Sequence, residues 1–121
     1  MKSLLTGLAL VLVMLVVSCK EEENVTPSVQ GSTWEVYIKW TSAPDTVLFR
    51  PRFDAGGTGA EVDAGGSPTG PTFTWTQADK TVSWTYPSTT AITGTLSNDG
   101  KTMTGTGTSG SYTAGFRAVK K

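Results

Sequence analysis

The sequence predicts an all-β protein: an eight-stranded antiparallel up-and-down meander closed into a small barrel. Three observations predict it. Apolar and polar residues alternate through eight segments between residue 33 and the C-terminal end, at the period of a half-buried strand and nowhere at the helical spacing. The connections are short and carry Gly, Pro, Asn or Asp, so they join antiparallel neighbours; a parallel crossover takes about a dozen residues. Ten of the eleven aromatic residues fall on one side of the alternation, Tyr37 being the exception. A flat sheet with such a face has no second layer to cover it in so short a chain, whereas closure buries the face and removes both edges. A two-sheet sandwich from the same strands is the alternative.

The segments follow in order. Residues 33–40 set Trp34, Val36, Ile38 and Trp40 inward against Glu35, Tyr37 and Lys39. Residues 46–53 set Val47, Phe49 and Phe53 inward, with Arg50 and Arg52 outward. Residues 57–63 are weaker, with Ala60 and Val62 inward against Glu61 and Asp63. Residues 72–77 place Phe73 and Trp75 among threonines, and residues 80–86 set Val82, Trp84 and Tyr86 against Thr81, Ser83 and Thr85. Residues 91–97 turn Ile92, Gly94 and Leu96 inward; residues 101–108 turn Met103, Gly105 and Gly107 inward. Residues 111–119 close the series with Tyr112, Ala114, Phe116 and Ala118. The inward glycines leave room opposite the bulky rings and let the sheet bend. Asn98-Asp99-Gly100 is the strongest hairpin signal, because Gly100 can supply the left-handed residue of a three-residue turn. The one longer connection, residues 64–71, is expected to lie over the barrel mouth as a lid.

Ahead of the barrel stand two short regions. Residues 1–18 carry Lys2 and then an apolar run of 14 residues from Leu4 to Val17, the length of a secretory signal core. A spanning helix needs about 20. Residues 19–30 are polar, with an acidic start and a single proline, and are read as a tether and linker to a domain at 31–121.

Val16-Val17-Ser18-Cys19 resembles the lipobox of bacterial lipoproteins, in which the cysteine becomes the lipid-modified N-terminus. That resemblance implies lipidation of Cys19 and membrane anchoring. Cys19 is also the single cysteine, so it has no partner for an internal disulfide. Lys20, Glu21, Glu22 and Glu23 follow it. They read either as a solvated charge run or as the surface-export signal that lipoproteins of Bacteroidota carry after the cysteine. The second reading is favoured and implies the outer membrane, with the domain exposed at the cell surface.

A meander barrel with an aromatic core resembles the calycins, and most closely the small lipocalin-like lipoproteins of Bacteroidota. Calycins carry Gly-X-Trp on the first strand; here Gly31-Ser32-Thr33-Trp34 is one residue longer. They also carry an Arg near the end of the last strand that crosses that Trp, and Arg117 stands at the equivalent place. The resemblance therefore implies that Trp34 and Arg117 close the barrel base, a contact worth about 0.5–2 kcal/mol.

Charge and chemistry narrow the function. Lys and Arg total 10 and Asp and Glu total 10, so no basic footprint for nucleic acid exists. There is no histidine, and a lipidated Cys19 offers no thiol, which excludes the usual nucleophilic triads and His or Cys metal sites. A carboxylate pair for glycoside hydrolysis needs positioning in a pocket; Glu35, Asp45, Asp54, Glu61, Asp63, Asp79 and Asp99 are all expected outward or in loops. Asp54, Glu61 and Asp63 lack the ligand density of a calcium loop. The expectation is a protein without catalytic activity, cofactor or metal.

The aromatics are the candidate site: Trp40, Phe73, Trp84, Tyr86 and Tyr112, from mid-barrel to rim, as walls for a small apolar ligand. An eight-stranded barrel is just wide enough to be filled by side chains or to hold one small ligand, and with so many rings filling is favoured. Threonine makes up 19 residues from Gly31 onward, in ladders such as Thr102, Thr104, Thr106 and Thr108. Such arrays resemble ice-binding surfaces, but a barrel wall is twisted rather than flat. The alternative function is a structural or interaction module that meets a surface protein or glycan through this Thr-rich wall.

Overall fold

The computed structural model describes residues 26–121. Residues 1–18, Cys19 and the Lys20, Glu21, Glu22, Glu23 run lie outside the described residues.

Strands β1 (Ser32–Trp40), β2 (Val47–Phe49), β3 (Pro51–Asp54), β4 (Thr58–Val62) and β5 (Pro68–Ala78) are followed by β6 (Thr81–Thr85), β7 (Thr90–Leu96), β8 (Thr102–Ser109) and β9 (Tyr112–Lys120). All pairings are antiparallel: β2 and β3 both pair with β1, β3 to β9 pair in sequence order, and β9 returns to β1 over seven residue pairs, from Trp34↔Lys120 to Trp40↔Ala114. The sheet is thus closed as an eight-stranded meander barrel. The ninth strand is an interruption: β2 and β3 run along β1 in one unbroken register, Ile38↔Val47 through Ser32↔Phe53. The break is Pro51. Arg50 already gives its carbonyl to Val62 on β4, so the backbone of the next residue faces β1, where proline has no N–H to give.

Hairpin geometry follows the turn residues. Gly100 is left-handed at φ 71°, with Gly100 N–H donating to Ser97 O at 3.0 Å and Ser97 N–H donating to Thr102 O at 2.9 Å. The inward glycines each lie under a ring. A Cβ at Gly94 or Gly105 would come within 2.8 Å of Phe116, and one at Gly107 within 3.3 Å of Trp40. Phe116 therefore occupies the space over Gly94 and Gly105, and Trp40 that over Gly107, where the wall carries no side chains.

The interior is filled. Phe53 stacks edge-on against Phe73, Trp75 and Trp84, with centroids 5.5, 5.6 and 5.3 Å away. Trp84 in turn meets Phe116 at 5.8 Å. With Val36, Ile38, Val82, Leu96 and Met103 these rings form one buried cluster. Trp75 is tied at the edge, its indole N–H donating to Asp54 O and Thr58 O at 3.0 and 2.9 Å.

The base is closed by the chain itself. Residues 26–30, read from sequence as linker, fold across it, and Val29 is as buried as Trp34. The side-chain amide of Gln77 accepts from Val29 N–H at 3.1 Å and donates to Pro27 O at 2.7 Å. Ser32 Oγ donates to Val29 O and accepts from the Trp34 indole at 2.9 Å. The expected Trp34–Arg117 closure is not formed. Trp34 points in, whereas Arg117 points out and lies over the ring of Tyr37, its partner across the ladder, at 4.3 Å. The alternation decides it: even positions of β9 face the core, and Arg117 is odd.

Residues 64–71 are not a lid. Asp63 Oδ1 ties a tight turn by accepting from Gly65 and Ser67 N–H, both at 2.9 Å, and Pro68 already begins β5.

Candidate functional site

β4 differs in phase from the sequence expectation, and the difference creates the site. Inward Phe53 pairs with Gly59, Pro51 pairs with Glu61, and Gly59 pairs with inward Phe73. Residues opposite each other share a face, so Gly59 and Glu61 point inward while Ala60 and Val62 point outward. Gly59 is required there, since the Phe73 ring occupies the place of a Cβ. Ala60 and Val62 stay buried on the outside, opposite Arg52 and Arg50 in the ladder. A one-residue change of phase exchanges the two faces of a strand.

Opposite Glu61 the ladder is irregular. Ala60↔Thr72 and Val62↔Pro68 leave three residues of β5, Thr69, Gly70 and Pro71, facing Glu61 alone. The side chain of Glu61 lies against Gly70, where a Cβ would stand 2.8 Å from Oε2. Bulges of this kind re-aim side chains at functional sites.

Glu61 therefore enters a cleft of about 260 Å³ at the barrel mouth. Ile38, Trp40, Phe49 and Ile92 form its apolar walls; Pro71, Ser88, Thr90 and Tyr86 complete it. Burial pushes the Glu61 carboxyl above its ordinary value. Tyr86 is pushed up too, first by burial and then by the negative charge of Glu61. Its hydroxyl is buried without a hydrogen-bond partner among the described residues, as is the indole nitrogen of Trp84. The Trp84 N–H bears weakly on the Tyr86 oxygen without reaching hydrogen-bond geometry.

Of the expected ligand residues, Trp40 and Tyr86 line this cleft. Phe73 and Trp84 do not: they are 3% and 1% exposed and belong to the filled core. Tyr112 stands above the rim at the start of β9, 54% exposed, because β1 ends at Trp40 opposite Ala114 and leaves it no neighbour there. Glu61 was expected outward and is instead the one acid among the described residues that the register turns into the cleft. Asp54 is held by Arg52 at 2.8 Å and Asp63 by its own turn, so the three acids do not converge.

A second, larger hollow of about 830 Å³ lies along β3–β6, lined by the Arg52–Asp54 pair, Thr58, Thr72, Thr74 and Thr85, and reached by the edges of the expected ligand residues Phe73 and Tyr86. It is an open groove on the Thr-rich wall.

No protein-family model matches the chain, and no curated protein or solved structure is significantly similar to it.

Proposed function

We propose that this protein is a membrane-anchored, non-enzymatic, lipocalin-like lipoprotein, held at the outer membrane through Cys19 and exposed at the cell surface, whose barrel mouth binds a small ligand with an apolar body. The observation that supports ligand binding is the asymmetry of the interior: rings fill the barrel from base to middle, and an apolar cleft of about 260 Å³ with a few polar groups is left at one end. Such a lining describes a small-molecule site. One carboxylate without a partner acid, histidine or thiol suits holding a molecule better than transforming it. The lipobox-like Val16-Val17-Ser18-Cys19 and the Lys20–Glu23 run support the anchor and its placement.

Native mass spectrometry of the protein extracted from its host tests the ligand reading. A small-molecule adduct is expected, lost when Thr90→Trp fills the cleft; an adduct-free spectrum from freshly extracted protein contradicts it. Fatty-acid labelling that disappears in Cys19→Ala tests the anchor.

The outer groove favours a second reading, an interaction module for a surface protein or glycan. Photo-crosslinking from position 74 to a specific surface partner, with the mouth empty, is the result that selects it.

A further inference from the structure

We infer that the mouth takes a small organic cation, an ammonium on a compact apolar body, with its charge against the Glu61 carboxylate and its body against Trp40, Phe49 and Tyr86. The inference rests on reading the mouth as a ligand site and names what that site selects.

Geometry carries it. Register turns Glu61 inward, and the irregularity at Thr69–Pro71 gives the carboxylate room along Gly70. Among the described residues no cation answers it. The arginines nearest in the ladder, Arg50 and Arg52, point outward and are engaged by Glu35 at 3.2 Å and Asp54 at 2.8 Å. No hydrogen bond from a protein donor reaches Glu61 among those residues either. An unpaired carboxylate in an apolar cleft is costly, and the raised proton affinity of Glu61 reflects that cost. A cationic ligand removes it by supplying the missing charge.

The remaining groups fit the same class. Aromatic faces attract cations within about 6 Å, and Trp40 and Tyr86 line the cleft. The neighbours facing Glu61 are Pro51 of β3 and Thr69, Gly70 and Pro71 of β5, so Tyr86 is the one other titratable group in the cleft. At about 260 Å³ the cleft falls just below the usual range for ligand pockets, so it suits a compact amine better than a long-chain lipid.

The test uses the full chain in a nonionic detergent and three probes with one body: 2-phenylethylamine, 2-phenylethanol and 3-phenylpropionate. Binding is read by NMR shifts of the Trp40 indole and Tyr86 ring. The amine is expected to bind at least about ten-fold more tightly than the alcohol, with the carboxylate weakest. Glu61→Gln should bring the amine to the level of the alcohol and leave the alcohol unchanged. Equal binding of amine and alcohol to the wild type, or a preference that survives in Glu61→Gln, overturns the inference and leaves the mouth as a ligand site. Shifts from none of the three probes overturn both. Should the variant fail to fold, the amine-to-alcohol ratio of the wild type decides alone.

Discussion

The two ends of the barrel are made by the same strands and finish in opposite ways. At the base, residues 26–30 return across the opening, Val29 enters the core, and Gln77 binds that segment through two of its backbone groups. Gly100 lies so close under Pro27 that a Cβ there would stand 2.6 Å from the ring. Among the described residues no segment crosses the mouth; the turn after β4 binds its own backbone through Asp63, and side chains from several strands wall the cleft. The base satisfies its polar groups with the chain's own partners. Among the described residues, the Tyr86 hydroxyl at the mouth has no hydrogen-bond partner, and no cation or hydrogen-bond donor reaches the Glu61 carboxylate.

Substitutions can sharpen or break this contrast. The largest effect is expected in the filled interior: Phe53→Ala removes the ring that touches Phe73, Trp75 and Trp84 and should cost about 3–5 kcal/mol in urea denaturation. At the base, Val29→Ala should cost about 2 kcal/mol. Gln77→Ala should cost about 1–2 kcal/mol, because Val29 N–H and Pro27 O lose their partner. If removing residues 26–30 leaves stability unchanged, the base is not the anchored end.

At the mouth the sign reverses. Burial raises the Glu61 carboxyl above its ordinary 4.5, so the folded protein holds that proton more tightly than the unfolded chain. The unfolded state then binds fewer protons across the interval, and stability falls as pH rises from about 4.5 through the raised value. Glu61→Gln removes this fall. The variant should be more stable than wild type at pH 7 and no more stable at pH 4, measured by denaturation midpoints at both. A loss of stability at pH 7 would mean that Glu61 is held by contacts that the cleft does not have.

Most of the barrel was legible because alternation, short turns and ring count agree; the register of β6 to β9 follows from Val82, Trp84, Ile92, Met103 and Phe116 alone. The weak segment was β4, where hydrophobicity pointed to Ala60 and Val62. A better signal was present in the turn. The hairpin from Asp54 to Thr58 has three loop residues, so Asp54 faces Thr58, Phe53 faces Gly59, and inward Phe53 forces Gly59 and Glu61 inward as well. Glycine on the inner face carries no hydropathy, which is why the pattern inverted. Val29 was missed for a different reason. One valine in a polar stretch has no period, and only the space left by the barrel base explains its burial. Arg117 was legible by parity as an outward residue, and the resemblance to calycins drew it toward Trp34 instead.

Everything at the mouth turns on Glu61, whose carboxylate points inward and has no cation beside it among the described residues. Carbon-13 NMR of that side chain tests it most directly. Nuclear Overhauser contacts from the Glu61 side chain to Gly70 Hα and a carboxyl titration midpoint above 4.5 are expected. A midpoint at or below 4.5, with no contact to Gly70, would contradict it.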